Sequence, residues 1–156
     1  MKKTIFIAAI ILGLGATTVQ AERFTPIKDA KILDACGECH MTFYPQMLPQ
    51  ASWRNIINDL SNHFGEDASI DATTQAYVLN YHLNDSADVK STRAARKWMK
   101  RVNRAKPPTR IVTAPRFVKK HNDRDFDRMW NRLKVKSKAD CTKCHKDAQR
   151  GLFDDD

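Results

Sequence analysis

Apolar residues recur at helical spacing along much of the chain, most clearly in residues 50–64. Pro49 just before this stretch and Gly65 just after it are typical of the two ends of a helix. The apolar positions follow the i, i+3, i+4, i+7, i+11 pattern, which gathers side chains on one helix face: Trp53, Ile56, Ile57, Leu60 and Phe64. The pattern therefore predicts an amphipathic helix over residues 50–64.

Helices are also predicted over most of the remaining chain. Asp71 is a suitable N-cap for a helix over residues 71–84. Residues 92–104 form a basic amphipathic stretch, and residues 116–133 present an apolar face that begins at Phe117. The apolar stripe predicted for the helix that begins at Asp71 has four members: Ala72, Ala76, Leu79 and Leu83.

Shorter segments complete the prediction of an all-α fold. Residues 26–35 suit a short helix, whereas residues 110–113 alternate weakly and suit a short strand. Pro107-Pro108 is the clearest break in the chain, so we predict one region over residues 22–104 and a second over residues 105–156. Since nearly all the predicted elements are helices and no clear βαβ pattern is present, the fold is predicted to be all-α.

The first residues have the character of an export signal. Lys2 and Lys3 precede an apolar run over residues 4–16, and Val19-Gln20-Ala21 is a small-residue cleavage site. The alternative is a membrane anchor, but the run is shorter than the span of about 20 residues that a bilayer requires. We therefore predict a signal peptide over residues 1–21 and an exported mature chain.

Two short motifs contain all four cysteines of the chain. Cys36-Gly37-Glu38-Cys39-His40 and Cys141-Thr142-Lys143-Cys144-His145 each have the form C-x-x-C-H, the attachment signature of a c-type haem. Two thiols at this spacing reach the two vinyl groups of one porphyrin and form thioethers with it. The histidine that follows is then held beneath the iron as its proximal ligand. The motifs predict two covalently bound haems c.

Other chemistries of cysteine fit these motifs less well. Four cysteines in an exported chain can form two disulfides, and two C-x-x-C pairs can hold one structural zinc. Neither alternative explains why a histidine directly follows the second cysteine in both motifs. A thioredoxin-type redox pair is expected beside a βαβ pattern, which the chain lacks.

The chain has three further histidines that are candidates for the opposite side of each iron. His63 lies at the edge of an apolar stripe, 23 positions after His40, and His121 lies 24 positions before His145. Each motif thus has a candidate partner. The ordinary alternatives stay open: a buried His63 bonded to a backbone carbonyl, and a solvated His121 within a charged stretch.

His82 and the methionines are the weaker candidates. His82 falls beside the apolar stripe of its helix, which predicts a surface or haem-edge position rather than a ligand. Methionine ligation would raise the reduction potential relative to two histidines, and Met47, Met99 and Met129 are the available residues. A histidine on an apolar face near each motif favours bis-histidine coordination.

Charge divides the mature chain sharply. Residues 22–89 contain 4 Lys and Arg against 10 Asp and Glu, net −6, whereas residues 90–138 contain 18 against 3, net +15. A basic block can indicate a nucleic-acid partner, but an exported haem protein rarely meets one. We expect the block to neutralise haem propionates and to steer an acidic redox partner or an anionic membrane surface. The alternative is a solvated face with no partner.

Five segments together resemble one known family. They are Cys36-Gly37-Glu38-Cys39-His40-Met41, Leu48-Pro49-Gln50-Ala51-Ser52-Trp53-Arg54, His63-Phe64-Gly65-Glu66-Asp67-Ala68, Arg116-Phe117-Val118-Lys119-Lys120-His121 and Cys141-Thr142-Lys143-Cys144-His145. The sequence is similar to the small dihaem cytochrome c family of bacterial exported proteins. The resemblance implies a cytochrome c-like N-terminal part, a smaller C-terminal haem-binding part, and the axial pairs His40 with His63 and His145 with His121.

The resemblance also implies a cellular role. It predicts a periplasmic protein whose redox partners are another c-type cytochrome, a membrane b-type cytochrome, or both. The leading hypothesis is a one-electron carrier with two low-spin bis-histidine haems, and not an enzyme. The alternative is a dihaem peroxidase or reductase, which needs one iron with an open coordination position.

Overall fold

The computed structural model describes residues 22–153, and the predicted signal peptide lies outside these residues. The described part contains six α-helices and five 3₁₀ turns, and its mostly helical architecture confirms the prediction of an all-α fold. None of the helices within it is long and apolar enough to cross a membrane. The helices are α1 Ala30–Gly37, α2 Gln50–Ile57, α3 Ala72–Asn84, α4 Arg93–Met99, α5 Pro115–Lys120 and α6 Arg124–Arg132.

The main core forms where α2 packs against α3 and where the chain before α2 turns beneath them. The indole N–H of Trp53 donates a 2.8 Å hydrogen bond to the carbonyl oxygen of Pro45. The side-chain amide of Gln50 donates to the carbonyl oxygen of Leu83 at 3.0 Å. These bonds satisfy polar groups inside an otherwise apolar cluster. The most deeply buried large side chains of this cluster are Phe24, Ile32, Tyr44, Met47, Leu48 and Val78.

A two-stranded antiparallel sheet joins the two ends of the described chain. Strand β1, Glu22–Arg23, pairs with strand β2, Leu152–Phe153. The backbone N–H of Phe24 continues the pairing with a 2.8 Å bond to the carbonyl oxygen of Gly151. Strands of two residues are too short to produce a recognisable alternation, so the sequence did not predict this sheet.

A buried carboxylate anchors the basic part of the chain to its first strand. Glu22 is 9% exposed and accepts a 3.0 Å hydrogen bond from the indole N–H of Trp98 in α4. Its other oxygen pairs with Arg116 in α5 and lies 3.6 Å from the ammonium of Lys97. One acid therefore holds α4 and α5 against β1.

Four helices begin at a capping side chain. Asp29, Asp71, Thr92 and Asp123 each accept a hydrogen bond from the backbone N–H three residues later, at the starts of α1, α3, α4 and α6. The predicted cap at Asp71 and the predicted end of α3 are thus confirmed. The short helix predicted over residues 26–35 begins later, because Asp29 caps it.

The helix predicted over residues 50–64 is shorter than expected. α2 ends at Ile57, and a separate 3₁₀ turn, Leu60–Asn62, follows it. Asn58 is the C-cap of α2, and Asp59 has a non-helical backbone conformation with φ of −125°. Both residue types have low helix propensity. The apolar spacing was correct for the first two turns only.

Three other local predictions were wrong. Residues 110–113 do not form a strand, since Ile111–Thr113 is a 3₁₀ turn. Residues 116–133 are not one segment, since α5 ends before His121 and Asp123 starts α6 by accepting a 2.7 Å bond from the N–H of Phe126. The stripe predicted for α3 was wrong in part. Leu83 is buried and Leu79 packs against the core, but Ala72 and Ala76 are exposed. Val78 and His82, which were not in the stripe, are buried.

Candidate haem-binding sites

The first C-x-x-C-H motif begins in the last turn of α1 and leaves the helix before its histidine. Cys36 is half-buried and Cys39 is exposed, and both are free thiols. Burial raises the pKa of Cys36 to about 11, so this thiol is uncharged at neutral pH. The ring Nδ1 of His40 lies 2.7 Å from the carbonyl oxygen of Met41. This contact fixes the ring and leaves Nε2 available for a metal.

His63 faces His40 across a gap, but it does so from a tight turn and not from a helix. The backbone N–H of His63 donates to the carbonyl oxygen of Glu66 at 2.8 Å. Between them Phe64 and Gly65 have φ of 60° and 104°, the left-handed region in which glycine is favoured. The His40 and His63 ring centroids are 6.1 Å apart, and the ring planes differ by 27°.

The environment of His63 is unusual for a structural histidine. Its Nδ1 is buried and has no hydrogen-bond partner. Burial lowers the pKa of His63, and the nearby charges of His40 and Arg110 lower it further. The neutral ring that results is the form that binds a metal. The alternative of a histidine satisfied by a backbone carbonyl does not describe Nδ1 of this residue.

The second C-x-x-C-H motif lies on a 3₁₀ turn, Cys141–Lys143, near the end of the described chain. Both of its cysteines are half-buried free thiols, and burial raises the pKa of Cys141 to about 11. The backbone N–H of His145 donates to the carbonyl oxygen of Cys141 at 2.8 Å. The motif thus closes on itself and holds its histidine.

His121 faces His145 from the end of α5. Its Nδ1 lies 3.0 Å from the carbonyl oxygen of Phe117, and its ring stacks on the Phe117 ring at 4.1 Å and 15°. Phe126 from α6 meets the same ring edge to face at 4.9 Å. The His121 and His145 centroids are 6.0 Å apart, and their planes are nearly perpendicular at 85°. His121 is therefore held by aromatic packing and is not a solvated side chain.

Both pairs have the spacing of two imidazoles on one metal ion. Metal–imidazole bonds of about 2 Å on each side, with each centroid about 1 Å behind its nitrogen, place two centroids roughly 6 Å apart. The cysteines fit the rival chemistries less well. All four are free, and within residues 22–153 no group of three or more His, Cys, Asp or Glu side chains is arranged to hold a metal.

Comparison with known proteins agrees with this geometry. The dihaem cytochrome c family matches residues 32–153. The fold is similar to a diheme cytochrome c from Rhodobacter sphaeroides, with TM-score 0.73 and 34% identity over 83% of this chain and 100% of that one. It is also similar to a diheme cytochrome c from Shewanella baltica OS155, with TM-score 0.62 and 30% identity over 80% and 86% of the two chains. Curated proteins give no match.

The chain belongs to the dihaem cytochrome c family. Membership implies two covalently bound c-type haems and a role in electron transfer, as the paired motifs predict. The division into regions 22–104 and 105–156 stays a prediction.

In this dihaem cytochrome the residues that follow the two motifs contact each other directly. The hydroxyl of Tyr44 donates a 2.8 Å bond to the carbonyl oxygen of Ala148. The Tyr44 ring stacks on Phe24 at 4.9 Å, and Phe153 meets both Phe24 and the ring of His145. A cavity of about 550 Å³ beside His40 is lined by residues that follow each motif, including Tyr44 and Gln149. None of these long-range contacts has a local sequence signal.

The sequence predicted a surface or haem-edge position for His82, but this side chain does not lie at the surface. It is 3% exposed, with its Nδ1 2.8 Å from the carbonyl oxygen of Val78 and its ring 4.4 Å from that of Trp53. Burial lowers its pKa, although the carbonyl groups of Val78 and Phe43 act in the opposite direction. The predicted apolar stripe left His82 beside the buried face of α3. In the structure the face of α3 that packs against the core includes His82.

The methionines occupy varied positions. Met47 is a core residue, 2% exposed, whereas Met129 on α6 is 38% exposed. In each site a histidine already faces the motif histidine, so the geometry favours histidine over methionine as the second ligand.

Proposed function

We propose that this chain is a periplasmic one-electron carrier with two six-coordinate, low-spin haems. His40 and His63 are the axial ligands of one haem, and His121 and His145 are those of the other. The spacing of the two imidazole pairs, 6.1 and 6.0 Å, carries this proposal. When bound, a c-type haem supplies a one-electron ferric–ferrous couple.

The protein groups around each site suit this role. Cys36, Cys39, Cys141 and Cys144 form the thioether links. Carbonyl oxygens at Nδ1 of His40 and His121 orient those rings and increase the basicity of the nitrogens that face the iron. With two protein ligands on each iron, neither site offers a position for peroxide or another small ligand.

Replacement of each distal histidine tests the ligand assignment. We expect low-temperature electron paramagnetic resonance of the oxidised protein to show two low-spin signals. His63→Ala and His121→Ala should each convert one of the two to a high-spin signal. His82→Gln is the matched control, because it changes a histidine outside both pairs and should leave both signals low-spin. Two low-spin signals in His63→Ala would exclude His63 as a ligand.

The same preparation discriminates a carrier from an enzyme. A dihaem peroxidase or reductase would show a high-spin signal in the wild-type ferric protein, and its reduced form would bind carbon monoxide readily. We expect neither property in the wild-type protein, but carbon monoxide binding in both alanine variants, because each has an opened iron position.

Two features support a periplasmic location. The predicted signal peptide directs export, and c-type haem is attached to exported chains. We expect the mass of the purified holoprotein to equal that of a chain that begins at Glu22 plus two haems. A mass that includes residues 1–21 would indicate a retained anchor instead.

The basic block supports an acidic redox partner, either another c-type cytochrome or a membrane b-type cytochrome. Two of its exposed side chains, Lys119 and Arg124, lie within three residues of His121 in the sequence. Such charges accelerate association with an acidic surface, and salt screens the effect.

We expect the double variant Lys119→Glu, Arg124→Glu to slow electron transfer to the partner at low salt. Lys28→Glu, which changes an exposed residue in the acidic part of the chain, should not slow it. Equal binding of both variants to anionic vesicles would argue against a membrane-surface role.

A further inference from the structure

The two imidazole pairs share one spacing but differ in the angle between their rings. His40 and His63 are close to parallel, at 27°, whereas His121 and His145 are nearly perpendicular, at 85°. The protein therefore offers one parallel and one crossed pair of ligands.

Aromatic packing holds the crossed arrangement. Phe117 stacks on His121 with an interplanar angle of 15°, and its carbonyl oxygen lies 3.0 Å from Nδ1 of the same ring. On the other side Phe153 lies 5.4 Å from the His145 ring at 59°. Phe117 thus fixes the plane of His121 through both its side chain and its backbone.

The parallel pair has its own support. Phe43 stacks on His40 at 4.7 Å and 27°, and Phe64 packs against His63 at 4.7 Å. The guanidinium of Arg110 lies over the Phe64 ring, 4.2 Å from its centroid. Phe43 is therefore the counterpart of Phe117 in the first site.

Ring orientation affects the iron that two imidazoles bind. Two iron d orbitals of nearly equal energy can overlap with the π systems of the imidazoles. Parallel rings both raise the energy of the same one of these orbitals and so split the pair. The splitting stabilises the ferric state, because low-spin ferric iron has one vacancy among these orbitals. Crossed rings act on different orbitals and leave the pair nearly degenerate. The ferric state then loses this stabilisation, so a crossed pair favours the reduced state. It also gives a resonance signal with a much larger maximum g value.

Charge acts in the same direction. Asp34 and Glu38 line the cavity beside His40, and Asp59 lies in the smaller cavity beside His63, with Arg110 as the opposing cation. The segments around His121 and His145 instead carry more cations than acids. Residues 116–124 contain four Lys and Arg against one acid, and residues 140–150 contain three against two. Two of these cations are paired with acids, Arg116 with Glu22 and Arg150 with Asp147. A cationic environment favours an added electron, and an anionic one opposes it.

We propose that the His121–His145 site has the higher reduction potential of the two, and that Phe117 is the positioning residue that keeps its rings crossed. The proposal rests on the bis-histidine assignment above and adds an order to the two sites. It predicts that the first electron that enters the protein resides at the C-terminal site.

A redox titration followed by low-temperature paramagnetic resonance tests the order. We expect one rhombic signal and one with a large maximum g value, with His63→Ala removing the rhombic one and so assigning it. When reduction has removed half of the large-g signal, we expect about 90% of the rhombic signal to remain. This result means that the equilibrium constants for reduction of the two sites differ about tenfold, which corresponds to a difference of 59 mV between one-electron reduction potentials. Earlier loss of the rhombic signal, or two rhombic signals, would overturn the proposal. A high-spin signal would instead contradict the bis-histidine assignment itself.

A pair of matched variants tests the role of Phe117. Phe117→Leu keeps an apolar side chain but removes the stacked ring, so the large-g signal should shift toward the rhombic position and its midpoint should fall. Phe43→Leu makes the same change at the other site and should alter the rhombic signal alone. If Phe117→Leu leaves the large-g signal unchanged while the protein stays folded, Phe117 does not position His121.

Discussion

The hydroxyl of Tyr44 donates a 2.8 Å hydrogen bond to the carbonyl oxygen of Ala148, 104 positions along the chain. Tyr44 lies four residues after His40, and Ala148 lies three residues after His145. This buried hydrogen bond therefore links the chain segments that follow the two haem motifs. Their relative position is set by side-chain chemistry and not only by the backbone between them.

Removing that hydroxyl should loosen the connection between the sites. We expect Tyr44→Phe to lower the free energy of unfolding by about 1 kcal/mol, because a buried hydrogen bond is lost while the ring packing is kept. Chemical denaturation of the holoprotein measures the change. Tyr77→Phe is the control, since Tyr77 donates to Asp29 at an exposed position and should have a smaller effect. Equal losses in the two variants would show that the Tyr44 bond is not special.

Glu22 offers a second test, based on buried charge. Glu22→Gln removes the carboxylate that Arg116 and Lys97 share, and Arg116 is itself only 14% exposed. An uncompensated buried cation is costly, so we expect a loss of about 3 kcal/mol in the free energy of unfolding.

The matched control for Glu22 is Asp85→Asn. Its partner Lys90 is 3.0 Å away, but both side chains are at least 40% exposed, so the loss should be below about 1 kcal/mol. Thermal melts of both variants at low and high salt make the comparison. A loss in Glu22→Gln as small as that in Asp85→Asn would mean that the Glu22 cluster is effectively solvated.

The features that the sequence predicted are those with local causes. The C-x-x-C-H spacing identifies both motifs, and the Asp71 cap places the start of α3 because a side-chain oxygen bonds its own helix. The fold class follows from apolar periodicity in the same way. In each case the interacting residues are only three or four positions apart.

The features that the sequence did not predict depend on distant contacts. His63 was expected on a helix, but Asn58 and Asp59 end α2 early and the His63–Glu66 turn aims the ring. Its neighbour Phe64 is covered by Arg110, a residue separated from it by α3 and α4. Periodicity within one segment holds no information about such a contact.

His82 gives a prediction about pH. Burial lowers its pKa in the folded protein below the ordinary value of 6.5, so folding favours the neutral ring. The stabilisation is present above pH 6.5 and is lost as the pH falls through the lowered folded pKa. We expect His82→Gln to lower the free energy of unfolding at pH 7. As the pH is lowered below 6.5, the free energy of unfolding should decrease less in the variant than in the wild type. Chemical denaturation of both proteins at several pH values measures this difference. If their free energies of unfolding decrease equally as the pH is lowered, the pKa of His82 does not change on unfolding.

Gly151 is the last position with a sharp expectation. Its φ of 81° lies in the left-handed region, and an added Cβ would come within 2.3 Å of the carbonyl oxygen of Phe24. The backbone N–H of Phe24 is itself bonded to the carbonyl oxygen of Gly151. We expect Gly151→Ala to lower the free energy of unfolding by about 2 kcal/mol or more, since it combines backbone strain with a clash.

Gly37→Ala is the control, because Gly37 ends α1 and an added Cβ there would meet nothing nearer than 3.8 Å. Alanine there should be neutral or stabilising by up to about 1 kcal/mol. Similar stability of the two variants would mean that the contact between Phe24 and Gly151 does not hold the two ends of the described chain together.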